Sequence, residues 1–176
     1  MFRNLIDLQY IFSKLDEYCV LKFDPDQYPE YMPNSDIDIL CKDKYKTAYF
    51  IEKILNENGI KSKKYIASNN NLQIDAMNGK NLELKFDITD DLSCFSKIKI
   101  KKNLVKLILE NKIKYKGFFI PDLKYDLAIR LLEYFEYKNN PKKIKHLLYC
   151  NQFPVNKKLA HEIIEKNRIW KNIFYI

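Results

Sequence analysis

Apolar residues recur along this chain with two periods, and each period predicts one kind of element. Spacing of three and four residues places apolar side chains on one side of a helix, whereas strict alternation places them on one face of a strand. The first pattern predicts helices at 4–17, 43–58, 103–111, 141–150 and 154–167, and a long helix that begins at 122. Strands are predicted at 19–23, 34–41, 60–67, 72–77, 81–88, 97–102 and 112–120. These elements indicate an α+β fold, with a core over 1–120 and a C-terminal helical segment over 121–176 packed on it.

Residues at the element ends set the expected boundaries. Asn4 is the expected N-cap of the first helix and Asp43 that of the second, which should stop at Gly59 because glycine adopts the left-handed conformation freely. Three prolines predict a loop over 24–34, and Asn78-Gly79 predicts a hairpin. The first helix should turn five apolar residues toward the core, namely Leu5, Leu8, Ile11, Phe12 and Leu15.

In the second half of the chain, two predicted strands precede the long helix. The lysine-rich stretch 97–102 is expected to be an edge strand, and 112–120 a strand kinked at Gly117. Pro121 should occupy the first turn of the following helix. In that helix, Arg130 is expected to form a surface ion pair with Asp126 or Glu133 rather than to contact a phosphate. Packing or surface roles are expected for His146 and His161, and the terminal aromatic residues Trp170, Phe174 and Tyr175 should dock on the domain.

A short acidic motif, Asn34-Ser35-Asp36-Ile37-Asp38-Ile39-Leu40, is the strongest chemical signal in the chain. Alternation along a strand places Asp36 and Asp38 on one face. Two carboxylates this close repel each other unless a cation lies between them or water reaches both. Because Mg²⁺ prefers oxygen ligands, the pair is a candidate magnesium site. The alternative is an exposed edge strand with solvated aspartates.

A third carboxylate joins the pair if the strand at 81–88 lies beside the motif strand. Its apolar residues face one way, whereas Glu83, Lys85 and Asp87 face the other. Asp87 would then converge with the pair, and the three carboxylates would hold one or two divalent ions against the phosphates of a nucleotide. Asp75, on the strand at 72–77, is a rival for the same position, since the hairpin also allows it to point toward the site.

The motif Ser-Asp-Ile-Asp-Ile-Leu, followed one hairpin later by Lys-Phe-Asp-Ile, resembles the nucleotidyltransferase superfamily of the DNA polymerase beta type. Within that superfamily the chain is most similar to small, divergent bacterial members of surface-polysaccharide gene clusters. The resemblance covers roughly the first half of the chain. It implies a mixed β-sheet flanked by helices, followed by C-terminal helices.

The resemblance also implies a site and a reaction. Asp36, Asp38 and Asp87 would bind Mg²⁺ and be catalytic, while Lys22, Ser35 and Lys85 would contact a nucleoside triphosphate. The implied reaction moves a nucleoside monophosphate to a small hydroxyl or anionic acceptor, such as a sugar or a phosphorylated precursor of a surface polysaccharide.

The chain departs from this family just before the motif. Members usually carry a Gly-Ser turn there, whose backbone amides hold the triphosphate, but this chain has no glycine before Gly59 and has Lys22-Phe23-Asp24-Pro25-Asp26 instead. Glycine allows the close approach that a backbone cradle for phosphate needs. A charge on Lys22 would replace those amide contacts. The departure leaves open a catalytically degenerate module on the same fold, which would bind or regulate a partner.

The charge, the motifs and the cysteine spacing indicate which partners and which cellular compartment to expect. The net charge of +8 is spread along the chain, and no nucleic-acid-binding motif is present, so nucleic acid is not an expected partner, whereas a homo-oligomer or a partner protein is possible. The four cysteines are widely separated, which predicts free buried thiols in a reducing compartment. Without an apolar run of about 20 residues or a signal peptide, a cytoplasmic protein is expected.

Overall fold

A five-stranded mixed sheet organises the computed structural model, which describes residues 5–22, 29–67 and 71–169. The strands are β1 (Tyr18–Val20), β2 (Ser35–Cys41), β3 (Lys61–Ile66), β4 (Leu72–Asn78) and β5 (Asn81–Thr89), in the order β1-β2-β5-β4-β3. The two central strands β2 and β5 run parallel, and the other neighbours are antiparallel. This arrangement confirms the predicted α+β class and the mixed sheet.

One face of the sheet is apolar because its strands alternate. Ile39, Phe86 and Ile74 are fully buried on that face, in a core shared with helix α1 (Leu8–Ser13) and helix α2 (Lys44–Glu57). As predicted, the Asp43 side chain caps α2 and Gly59 follows it with φ +72°. The Asn78-Gly79 hairpin is confirmed as well, since β4 and β5 pair on either side of it.

The opposite face carries a second core at the β1–β2 end. Cys19, Leu21 and Leu40 pack there against the C-terminal helices. Those helices are α3 (Asn103–Glu110), α4 (Leu123–Glu136), α5 (Ile144–Asn151) and α6 (Pro154–Asn167), with a 3-10 turn at Pro141–Lys143 before α5. The second core therefore draws residues from both sides of position 120. Farther along the sheet, the same face presents polar side chains.

The first helix is shorter than predicted. Its N-cap is Asp7, whose Oδ1 accepts a hydrogen bond from the Tyr10 backbone N–H at 2.9 Å, so the helix begins at Leu8. The predicted N-cap, Asn4, lies outside the described residues. Leu5 therefore precedes the helix and is exposed, contrary to the prediction, and Ile6 is buried instead. The other four predicted core residues of this helix are buried.

Two strands predicted in the second half are wrong. The segment 97–102 forms only a single bridge between Ile100 and Arg168, because the end of α6 rather than a sheet lies beside it. The segment 112–120 is a hairpin of β6 (Lys112–Tyr115) and β7 (Phe118–Pro121), since Lys116 and Gly117 both have positive φ, of 44° and 98°, and reverse the chain. Pro121 accordingly ends a strand, and Asp122 caps α4.

Several further predictions can be compared with the structure. All four cysteines are free thiols, and Cys94 is only half-buried. No described helix is long and apolar enough to cross a membrane. The predicted loop at 24–34 is seen over 29–34, and the rest of it, like the terminal aromatic residues Trp170, Phe174 and Tyr175, lies outside the described residues.

Candidate functional site

The predicted acidic residues lie on one face of the sheet, along its two parallel strands. In the register of β2 and β5, Asp38 is the Cα partner of Asp87, and Asp36 is the partner of Lys85. Alternation points these four side chains away from the apolar core. On β4, Asp75 is the Cα partner of Lys85, so the rival carboxylate lies farther from the pair than Asp87 does.

A buried hydrogen-bond network holds the loop that leads into β2. The Tyr31 hydroxyl donates to Glu83 Oε1 at 2.8 Å and accepts from the Ile6 backbone N–H at 3.0 Å. Asn34, in the left-handed region at φ +65°, donates its N–H to the Glu83 carbonyl at 3.1 Å. These bonds tie the start of β2 to β5 and so set the position of Asp36 and Asp38.

A cavity of about 530 Å³ lies between the start of β2 and the C-terminal helices. Its size is within the range of small-molecule sites. The sheet side of its wall includes Lys22, Ser35, Asp36 and Asp38, and the helical side includes Arg130, Glu133, Lys143, Lys145, His146 and Tyr149. Lys85 and Asp87 are not among the described residues that line it.

Lys22 joins the two sides of this cavity. Its Nζ lies 2.6 Å from Asp38 Oδ2 and 3.1 Å from Glu133 Oε2, with 20% of the side chain exposed. Burial opposes the charge, but the two carboxylates raise the pKa of Lys22 above its usual value. The ammonium therefore keeps its positive charge beside the acidic pair.

The backbone of Lys22 is unusual too. It has φ +50°, a conformation that favours glycine, at the place where the resembling family carries its glycine turn. The neighbouring Leu21 N–H donates to the Asp38 carbonyl at 2.8 Å, and the Asp126 carboxylate accepts a hydrogen bond from the Lys22 backbone. A positive φ thus occurs at this position without a glycine.

Asp38 is half-buried, and 25% of its side chain is exposed. Burial raises the pKa of the Asp38 carboxyl, Lys22 opposes that rise, and the nearby carboxylates of Asp36 and Asp87 add to it. Asp36 is exposed at the cavity wall. The pair thus consists of one solvated carboxylate and one that depends on a neighbouring cation for its charge.

The carboxylate of Asp87 is bound by neutral amides. Asn71 donates to Oδ1 at 2.7 Å, and Gln73 donates to Oδ2 at 3.2 Å. The three predicted carboxylates therefore share a face, but their oxygens do not meet at one point. Among the described residues, no three His, Cys, Asp or Glu side chains are grouped so as to hold a metal ion.

Glu133 lies at the centre of the helical side of the cavity wall. The sequence predicted for it only an ion pair with Arg130, as an alternative to Asp126. Its buried carboxylate contacts Lys143 as well as Lys22. Although burial opposes this, the two lysines lower the pKa of Glu133 to about 2. A polar stripe could have indicated Glu133 from the sequence, because Asp126, Arg130 and Glu133 recur at helical spacing within an otherwise apolar helix.

His146 lines the cavity as well and is only 4% exposed. Neither ring nitrogen has a hydrogen-bond partner within the described residues, and Nε2 lies 3.5 Å from Glu133 Oε2. Burial lowers the pKa of His146 to about 4, against the pull of Glu133. The imidazole is therefore neutral near pH 7.

Arg130 corrects one prediction. Its Nε lies 2.6 Å from Asp126 Oδ2, so the ion pair exists, but both residues are buried rather than on the surface. The guanidinium also lies over the Tyr149 ring, 4.2 Å from its centroid. Lys85, which was expected to contact the nucleotide, lies 4.0 Å from Asp75 on the open part of the sheet.

Comparison with known proteins gives little. No protein-family model and no curated protein matches the chain. Among solved structures, the crystal structure of the Megavirus polyadenylate synthase is similar with a TM-score of 0.38 and 12% sequence identity, over 91% of this chain and 31% of that one. This chain thus spans about a third of that structure's length, and a likeness at this level carries no argument about family or activity.

Proposed function

We propose that this chain is a magnesium-dependent nucleotidyltransferase, which moves a nucleoside monophosphate from a nucleoside triphosphate to a small acceptor. The observation that carries the proposal is the placement of Asp36 and Asp38, two same-face carboxylates in the wall of a cavity of about 530 Å³. Lys22, a cation already in contact with Asp38, supports it, because it marks that carboxylate as a place where positive charge is stable.

The donor set fits magnesium. Mg²⁺ is commonly held by one or two carboxylates together with substrate phosphates, so the described pair suffices without a third protein ligand. Asp36 and Asp38 would hold the ion, and Asp87 is the predicted third ligand. When bound, magnesium offsets the negative charge that develops on the phosphate oxygens.

The side chains of the cavity then position two ligands. The acceptor oxygen attacks the α-phosphorus in line, and its bond to phosphorus forms as the bond to the pyrophosphate oxygen breaks. The acceptor proton passes to a carboxylate, for which we propose Asp87, the Cα partner of Asp38, although Asp87 is outside the cavity wall. Such catalysis rests on orientation and on charges fixed in advance. Lys22, Lys143 and Lys145 supply positive charge for the phosphates, and Ser35 offers a hydroxyl at the same wall.

The acceptor that we propose is small and carries a hydroxyl or anionic group, such as a sugar or a phosphorylated precursor of a surface polysaccharide. Lys143 and Lys145, on the helical side of the wall, favour an anionic compound, since the positive charge that they add to the cavity attracts any phosphate within it. Calorimetric competition between phosphorylated and unphosphorylated sugars, with the triphosphate present, would distinguish the two classes.

The test is calorimetric titration of each nucleoside triphosphate with Mg²⁺, on the wild type and on the double variant Asp36→Ala/Asp38→Ala. Binding by the wild type that disappears in the double variant is the expected result. Asp75→Ala is the matched control, because it removes a carboxylate from the same sheet face that does not line the cavity. If no triphosphate binds the wild type, or if the double variant binds as well as the control, the proposal fails.

A second candidate is a catalytically degenerate binding or regulatory module. It is favoured by the observation that Lys22 already neutralises Asp38 and that two amides occupy the oxygens of Asp87. Such a module would act through a partner protein or a second copy. Light scattering that finds a monomer, combined with release of pyrophosphate from a triphosphate, would exclude it.

A further inference from the structure

We propose that Lys22 is an internal cation that competes with divalent metal for Asp38, so that metal enters only when the ammonium is displaced toward Glu133. This inference rests on the proposed function, since it concerns the metal of that site. The sequence predicted that Lys22 contacts the nucleotide. The role proposed here is a different one, which is control over metal entry.

The contact distance places the Lys22 ammonium and a bound metal ion in competition for Asp38. The ammonium lies 2.6 Å from Asp38 Oδ2, which is hydrogen-bond contact. A magnesium ion bound to the same carboxylate would lie about 2.1 Å from its oxygen. Two cations bound to one carboxylate would repel each other in a half-buried site, so each weakens the binding of the other.

The ammonium is placed there by the fold and is not a mobile surface charge. The Lys22 backbone is fixed in the left-handed region, and α4 holds it through Asp126. Leu21, one residue before it, donates its backbone N–H to the carbonyl of Asp38. The lysine side chain therefore starts at a fixed point close to its carboxylate.

A second partner for the ammonium is already in contact with it. Glu133 Oε2 lies 3.1 Å from the Lys22 Nζ, and Lys143 contacts the other oxygen of the same carboxylate. Displaced from Asp38, Lys22 keeps this partner, so it stays charged at the cavity wall. There it faces the space in which we place the phosphates, and one movement would both open the metal site and supply a phosphate contact.

The test measures metal alone, without nucleotide. Binding of Mn²⁺ is followed by the electron paramagnetic resonance signal of the free ion, for the wild type, Lys22→Met and Lys145→Met. Lys145→Met is the matched control, because it removes the same charge from the same cavity wall, at a lysine that forms no ion pair with a described residue. Circular dichroism checks that each variant is folded.

We expect Lys22→Met to bind Mn²⁺ about tenfold more tightly than the wild type, the size of one charge-assisted hydrogen bond, and Lys145→Met to change it much less. The gain should disappear in Lys22→Met/Asp38→Asn, which would place the added affinity at Asp38. The proposal is overturned if Lys22→Met binds no more tightly than Lys145→Met, or if neither it nor the wild type binds metal.

A measurement on the wild type keeps the test valid should Lys22→Met not fold. Titration with Mg²⁺ is expected to shift the nuclear magnetic resonance signal of the Lys22 ε-methylene group with the midpoint of metal binding. An unchanged signal while Mg²⁺ binds would refute the displacement. Loss of the proposed function would appear instead as the absence of triphosphate binding, which these metal titrations do not involve.

Discussion

Replacing Glu133 by glutamine tests the electrostatic core of the site. The substitution preserves the shape of the side chain but removes the charge that Lys22 and Lys143 share. Since a pKa difference of one unit corresponds to about 1.36 kcal/mol, the lowering of the Glu133 pKa from 4.5 to about 2 corresponds to about 3 kcal/mol of folding free energy. We therefore expect Glu133→Gln to lower the free energy of unfolding by about 3 kcal/mol at pH 7.

The pH dependence of this loss has a definite sign. A carboxyl whose folded pKa is lowered stabilises the protein above its unfolded pKa, and that stabilisation fades as the pH falls toward the folded value. The difference between wild type and variant should hold from pH 7 down to about pH 4.5 and shrink between there and pH 2. Urea unfolding followed by circular dichroism at pH 7, 5, 4 and 3 would measure it.

Glu110→Gln is the matched control for this experiment. Glu110 forms an exposed ion pair with Lys106, at 3.7 Å and four residues along one helix. Such pairs contribute about 0.5 kcal/mol or less, so this variant should unfold almost as the wild type does at every pH. Our reasoning is refuted if Glu133→Gln matches Glu110→Gln at pH 7, or if its loss of stability is the same at pH 7 and pH 3.

Three further predictions follow from single contacts. Tyr31→Phe removes the hydroxyl that donates to buried Glu83 and should cost about 1–3 kcal/mol in urea unfolding; an unchanged midpoint would contradict the network that holds the start of β2. Gly117→Ala should cost about 1 kcal/mol through backbone strain alone, because φ is +98° and nothing lies within 4 Å of the added carbon; a neutral or stabilising result in thermal unfolding would be inconsistent with this turn. The His146 ring protons should titrate by nuclear magnetic resonance with a midpoint near pH 4, and stability should fall as the pH drops from 6.5 toward 4, because the unfolded chain binds the proton more readily; a midpoint at 6.5 would show that the ring is exposed.

The two wrong strand predictions have a common physical origin. Periodicity predicted a strand at 97–102, but a strand also needs a neighbour, and the end of α6 lies there instead. Likewise, the alternation over 112–120 is that of two strands, and only the positive φ values of Lys116 and Gly117 divide them. Patterns of apolar residues report which side of an element is buried and not what lies against it.

In the acidic site, too, the spacing of the residues predicts some features, and only the packing of the strands decides the others. That Asp36 and Asp38 share a face follows from their spacing alone. That Asp87 lies directly beside Asp38 depended on β2 and β5 being parallel neighbours, and this was inferred from a resemblance rather than from the residues. No pattern within the chain indicates that Asn71 and Gln73 would bind the oxygens of Asp87.

By itself, the sequence determined the local elements: the buried apolar face of β5, the capped helix α2, the hairpin at Gly79, and the placement of two aspartates on one face. These are properties of neighbouring residues, which periodicity and backbone preference control. Tertiary structure alone decided the partners of Lys22. Lys22, Asp38 and Glu133 are far apart in the chain and meet only because α4 packs across the β1–β2 end of the sheet, so the electrostatics of the site depend on contacts that no local pattern records.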